Sequence, residues 1–123
     1  MITEKFKEVI SHEGVVSIVS CANNEAHVVN TWNSYLELTP DACLLLPVYG
    51  MRKTEKNIVI NSQVKITLGS REVMGFQSPG TGFLITGTAR FITEGPAFDE
   101  WKTRYSWLTR LLEVKLESVK QTL

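Results

Sequence analysis

Apolar positions change their spacing several times along this chain, and each change predicts an element. Phe6, Val9 and Ile10 recur at helical spacing, with Thr3 as a cap and Gly14 as a stop. That predicts a short helix from Thr3 to about Glu13. Val15 to Cys21 is rich in β-branched residues and predicts a strand. Asn23-Asn24-Glu25 predicts a hairpin turn, because Asn tolerates positive φ. His27 to Leu38 predicts the second strand, and Ala42 to Pro47 a buried third. A second helix is expected from about Thr54 to Asn61. Gln63 to Leu68 alternates apolar and polar residues, so a strand is expected there, continuing past a break at Gly69 to Met74. Gly75 to Gly82 reads as a turn-rich link. Phe83 to Phe91 reads as a strand, and Gly87 predicts a bend or bulge inside it. Gly95-Pro96 opens a third helix, and Leu112, Val114 and Leu116 mark a last strand.

The sum is about six strands and three short helices, mainly β with short connections (an α+β chain). Strands joined this closely pair antiparallel, whereas an open α/β sheet needs a helix after almost every strand. A small closed or split barrel with helices at its ends fits the pattern. With 123 residues, one domain over 1–123 is the simplest division, large enough for a core without disulfides or metal.

Charge narrows the chemistry. Lys plus Arg and Asp plus Glu are 13 each, so the formal net charge is zero. No general basic field exists for nucleic acid, and any anion site must be local. Cys21 and Cys43 lie in apolar runs and read as small buried thiols of a reducing compartment. No His/Cys cluster has metal-ligand spacing, and no nucleophile triad or close carboxylate pair stands out. The N-terminus is charged, without the apolar stretch of a signal peptide, and no run is long enough to span a membrane. A soluble cytoplasmic protein is expected.

Two stretches carry candidate chemistry. Pro47-Val48-Tyr49-Gly50-Met51-Arg52-Lys53-Thr54 joins a strand end, a glycine, two adjacent cations and a helix start. Gly50 is expected to supply the turn and Thr54 the helix cap. Free amides of a first helical turn, with neighbouring cations, hold an anion. The plain alternative is a strand-to-helix connection with two solvated cations. The second stretch, His27 to Leu38, interleaves Asn30, Thr31 and Asn33 with Trp32 and Tyr35. Such a mixture suits a flat heteroaromatic ligand, which needs apolar faces and a few polar contacts. Its alternative is a half-exposed barrel strand. Together the two stretches point to a phosphorylated aromatic cofactor.

Three blocks then resemble a known family: His27-Val28-Val29-Asn30-Thr31-Trp32-Asn33-Ser34-Tyr35-Leu36, Pro47-Val48 with Gly50-Met51 and Lys53-Thr54-Glu55, and Pro79-Gly80-Thr81-Gly82-Phe83-Leu84. The chain resembles the small FMN-binding proteins of the split-barrel superfamily that includes pyridoxamine 5′-phosphate oxidase. The resemblance implies a six-stranded antiparallel split barrel, a homodimer, and FMN bound non-covalently near the subunit interface. It implies that Asn30, Thr31 and Trp32 line the ring and ribityl chain. Pro47, Val48, Gly50 and Met51 would give backbone contacts to the ring edge. Lys53 and Thr54 would hold the phosphate, with Arg52 as helper. Tyr35 and Trp107 would neighbour the flavin, and Leu123 would close the site from the partner chain. Glu13 would be near enough to tune the flavin by its charge. Tyr49 departs from the glycine common in close relatives and is expected to alter or cover the cofactor loop.

The function the resemblance implies is electron transfer through FMN to a redox partner protein not identified by the sequence, with no catalytic residue of the chain's own. The alternative is a flavin-dependent oxidoreductase on a small substrate, such as a flavin reductase or a pyridoxamine 5′-phosphate oxidase relative. A third reading is a barrel module without flavin that binds partners.

Overall fold

The structure is a computed structural model that describes residues 1–123. The first helix, α1 (Glu4–Ile10), is capped by the Thr3 hydroxyl, which accepts from the Phe6 amide at 3.1 Å. Its apolar stripe buries Phe6 and Val9 completely, and Phe6 meets Phe83 edge to face at 5.2 Å. Strands β1 (Val15–Ala22) and β2 (Glu25–Trp32) form the expected hairpin. Asn23 and Asn24 turn it with φ of 54° and 62°, the paired left-handed geometry that suits strand twist.

The second strand ends earlier than its composition predicts. A short 3-10 turn over Asn33–Tyr35 breaks it, and Glu37–Leu38 becomes a separate two-residue strand, β3. The break follows from Asn33, whose side chain is buried. Its Nδ2 donates to the carbonyls of His12 at 2.9 Å, Gly69 at 3.0 Å and Val9 at 3.3 Å. Seven strands therefore replace the expected six.

β4 (Cys43–Val48) is buried on both faces. Leu44, Leu46 and Val48 enter the main core, while Leu45 packs with Trp101, Leu108 and Leu111 in a smaller one. β5 (Gln63–Met74), β6 (Pro79–Ile92) and β7 (Arg110–Gln121) are long antiparallel neighbours. The expected link narrows to Gly75–Ser78, since Pro79 to Gly82 already pair in β6. The bulge falls where Gly87 predicts it: the β6–β7 register shifts between Thr86 and Gly87. A Cβ on Gly87 would stand 2.5 Å from the Lys115 carbonyl oxygen, so the crossing strand approaches too closely for a side chain.

The strand order is β2-β1-β5-β6-β7-β4-β3. Val16 and Ile18 of β1 share one core with Leu44, Leu46 and Val48 of β4, although three strands separate them in the sheet. The sheet is therefore curled around its core. No ladder joins β2 to β3 or β4, so one seam stays open. Helix α2 (Arg52–Ile60) leaves the end of β4 and packs on β1 and β2 across that seam, with Ile58 turned into the core. Helix α3 (Pro96–Arg104) lies outside, anchored by buried Trp101. No helix is long and apolar enough to cross a membrane.

Candidate functional site

The seam brings the strand end and the helix start together. Pro47 lies within β4 rather than ending it. β3 pairs only with Leu44 and Leu45, and Pro47 pairs only with Leu111 of β7, so its missing N–H faces the unpaired side. Pro47 and Val48 are buried. Tyr49 is 68 % exposed.

The turn itself is made by a different residue than expected. Gly50 has an ordinary φ, whereas Met51 adopts the left-handed conformation, φ 57° and ψ 38°. A left-handed non-glycine residue costs roughly 1–2 kcal/mol and needs support from its surroundings. Met51 starts α2 at Arg52, two residues before the expected start. Thr54 is therefore no cap but the third helical residue, and it is 0 % exposed.

The amides of Gly50, Met51, Arg52, Lys53 and Thr54 donate to no protein acceptor. The first bond of the helix runs from Glu55 N to Met51 O at 2.9 Å. Five consecutive free donors at a helix start form an anion-binding concavity. The Thr54 hydroxyl is buried and has no partner, a state that buried polar groups avoid unless something else fills the place. Lys53 is exposed and has no carboxylate partner, while Arg52 pairs with Glu55 at 3.3 Å. A Cβ on Gly50 would meet nothing within 4 Å, so the space over the loop is open.

The back of the loop is held by residues that the sequence did not single out. Val48 O accepts from Thr109 N at 2.9 Å and from Thr109 Oγ1 at 3.1 Å. Tyr49 O accepts from Thr109 Oγ1 at 2.7 Å and from Arg110 Nη2 at 3.1 Å, and Gly50 O also accepts from Arg110 Nη2. Arg110 is only 4 % exposed and lies over the Phe91 ring at 5.1 Å. Its Nη1 is 3.2 Å from Glu55 Oε1, an ion-pair distance without hydrogen-bond alignment, and its Nε has no partner. Burial draws the guanidinium below its ordinary pKa; Glu55 opposes this and Arg52 adds to it. The one visible signal for Arg110 was an arginine next to the apolar pair Leu111-Leu112.

The other candidate residues fall into two groups. Tyr35 and Trp107 meet edge to face at 5.8 Å, with Tyr105 touching both. Trp107 follows the end of α3 and is exposed. Glu13 and Leu123 line one open cleft of about 600 Å³ together with Val15 and Thr81. Trp32 is opposite Val15 in the β1–β2 ladder and 47 % exposed, so it extends the same surface. Thr31 is buried, while Asn30 donates to Ser17 Oγ at 2.9 Å and to Val16 O at 3.2 Å. Asn33 does not join this wall, because its amide is spent on three backbone carbonyls of the core. Glu13 accepts from the Ser34 hydroxyl, the Ser34 amide and the Gly14 amide. The Ser34 hydroxyl is the main cause that holds its carboxyl below the usual range.

A curled antiparallel sheet with an open seam defines a split barrel, and the turn with its free amides lies beside that seam. The profile of the family described as pyridoxamine 5′-phosphate oxidase matches residues 2–122, and the chain belongs to that family. A curated relative from Nitratidesulfovibrio vulgaris (strain DSM 19637 / Miyazaki F), named FMN-binding protein, is 46% identical over 123 residues, which is all of both chains. The solved structure of HupZ from Group A Streptococcus superposes with a TM-score of 0.76 at 19% identity, covering 97% of this chain and 92% of that one. An FMN-binding protein from Syntrophomonas wolfei subsp. wolfei gives 0.72 at 19% identity, over 98% and 85%. At these identities the two solved structures establish the fold.

Proposed function

We propose that this chain binds FMN non-covalently and serves as an electron-carrying flavoprotein. The observation that carries the reading is the run of five unpaired amides, Gly50 to Thr54, beside an unpartnered buried hydroxyl and a free lysine. A phosphate monoester supplies the acceptor oxygens these donors lack. The 46% identical relative with the name FMN-binding protein supports the same ligand.

In this reading Lys53, Thr54 and the loop amides hold the phosphate. Arg52, tied to Glu55, contributes its charge from further out. Asn30, Thr31 and Trp32 line the ring and ribityl region, and the open space above Gly50 admits the ring edge. Bound FMN supplies one- and two-electron chemistry. The chain's task is to orient it, exclude water with Trp32, Tyr35, Tyr49 and Trp107, and set the local charge through Glu13. A second copy completes the site: the exposed surface of Trp32, Val15 and Leu123 pairs with its counterpart, and the partner subunit's Leu123 closes over the flavin. An acceptor or donor protein then docks where the flavin edge is exposed.

Family membership favours a second reading, a flavin-dependent oxidoreductase on a small substrate. The two share the cofactor and differ in what meets it. Visible absorption of the purified protein, chromatography of the heat-released cofactor and reconstitution with FMN test the shared part. Flavin bands with released FMN support it, and a colourless protein that takes up no FMN overturns it. Turnover with NAD(P)H or an amine then decides for the enzyme; reduction and reoxidation without such turnover decides for the carrier.

A further inference from the structure

We propose that Arg110 is the positioning residue of the phosphate site, acting as a buried clamp that aims the loop amides without touching the ligand. This rests on the reading of the loop as the FMN phosphate site.

One Arg110 nitrogen, Nη2, gathers two successive carbonyl oxygens, those of Tyr49 and Gly50. No peptide bond of the chain is cis. In a trans peptide the C=O of one residue and the N–H of the next point in opposite directions. Drawing Tyr49 O and Gly50 O toward Arg110 therefore turns the Gly50 and Met51 N–H groups away from it. These are the first two of the five unpaired amides. The same constraint holds Met51 in its left-handed conformation, which fixes where α2 begins and where the amides of Arg52 to Thr54 point.

Apart from the two carbonyls, only the Phe91 ring and a shared carboxylate offset the burial of this guanidinium. It is 4 % exposed, its Nε is unpartnered, and its carboxylate neighbour Glu55 is shared with Arg52. Burying a charge is costly, and a whole buried ion pair is often replaced by apolar groups without loss when only the fold is at stake. The planar, fixed donors of Arg suit the capture of two successive carbonyls by one nitrogen while the charge stays near a carboxylate. Thr109, the neighbouring residue, secures Val48 O and Tyr49 O but does not reach Gly50. The Gly50 carbonyl has Arg110 as its side-chain donor.

The test compares FMN and riboflavin binding by titration in the full chain for the wild type, Arg110→Gln and Arg110→Lys. Both variants are expected to lose about tenfold or more in FMN affinity, with riboflavin changed by less than about threefold. Equal losses for the two ligands would reduce Arg110 to a support of the fold and overturn the proposal. Full FMN affinity in Arg110→Lys, with loss only in Arg110→Gln, would make charge rather than the fork decisive and also overturn it. If the variants do not fold, NMR titration of the isotope-labelled wild-type protein with inorganic phosphate decides. Shifts at the Gly50 to Thr54 amides, with the Arg110 side-chain signals little changed, support the clamp. Dominant shifts at the Arg110 guanidinium make it a direct ligand and overturn it. A folded wild type that takes up no FMN is recognised before any variant is made, and removes the flavin reading together with this one.

Discussion

Glu13 and Ser34 are joined twice: the Ser34 hydroxyl donates to Oε2 at 2.7 Å and the Ser34 amide to Oε1 at 3.1 Å. The Gly14 amide adds a third bond at 3.2 Å. All three favour the ionised carboxylate. The folded pKa is therefore depressed, so this stabilisation is present above the ordinary glutamate range and is lost as pH falls through the lowered folded value. Glu13 remains charged under mildly acidic conditions.

From this follows an expectation for the FMN-loaded protein. Glu13→Gln removes a fixed negative charge and makes reduction easier, raising the midpoint potential at neutral pH. The two potentials converge only below the usual glutamate range. Ser34→Ala, which removes the main cause of the shift, moves that convergence to higher pH. Spectroelectrochemical titration across pH checks both. Identical potentials for wild type and Glu13→Gln at neutral pH would show that Glu13 is too far from the flavin to matter.

Lys53→Ala is expected to weaken FMN by about tenfold or more and riboflavin by less than about threefold, because in the proposed site the ammonium serves only the phosphate. Calorimetric titration with both ligands reads the ratio. Equal weakening would mean that the lysine supports the loop and does not read the phosphate.

Asn33→Ala is expected to cost about 3 kcal/mol, since it strips the side-chain donor from three backbone carbonyls at a buried position. Gly14→Ala acts at the same junction. Its Cβ would stand 1.9 Å from the Gly69 carbonyl oxygen, so backbone must move and a loss of about 3 kcal/mol or more is expected. Denaturant unfolding of the apoprotein measures both. A loss under about 1 kcal/mol for Asn33→Ala would show that water replaces the amide.

Trp32→Glu places a carboxylate on the surface that Val15 and Leu123 share with the cleft. Sedimentation velocity is expected to shift from dimer to monomer, since an unpaired charge opposes burial at an interface. Wild type running as a monomer at working concentration would remove the dimer from the proposed function.

Much of the fold was legible because its signals are local. Thr3 capped the first helix, the two asparagines turned the hairpin, and Gly87 marked the bulge. Alternation in Gln63 to Leu68 and in Leu112 to Leu116 identified strands, though not their length. β5 and β7 continue beyond the alternating parts because β6 pairs with their extensions along one edge. The break at Asn33 was not legible. Its cause is three carbonyls from two distant segments, the end of α1 and Gly69, and no local pattern records them. The loop was found for the right residue types and with the wrong pivot: a glycine drew attention as the flexible position, while Met51 takes the left-handed turn. Arg110 was missed because it acts on backbone carbonyls 60 and 61 residues earlier, a relation that exists only once β4 and β7 are paired.

That pairing also sets an order of events. During synthesis β4 and α2 emerge well before β7, yet Thr109 and Arg110, which fix the loop from behind, belong to the β7 end of the chain. Until β7 docks, the amides of Gly50 to Thr54 have no fixed direction. Cofactor capture is thus a late step that waits for contacts between residues 60 and 61 positions apart in sequence, a long-range kind that is slow to form. A nascent chain lacking β7 should fold its first hairpin and remain blind to phosphate.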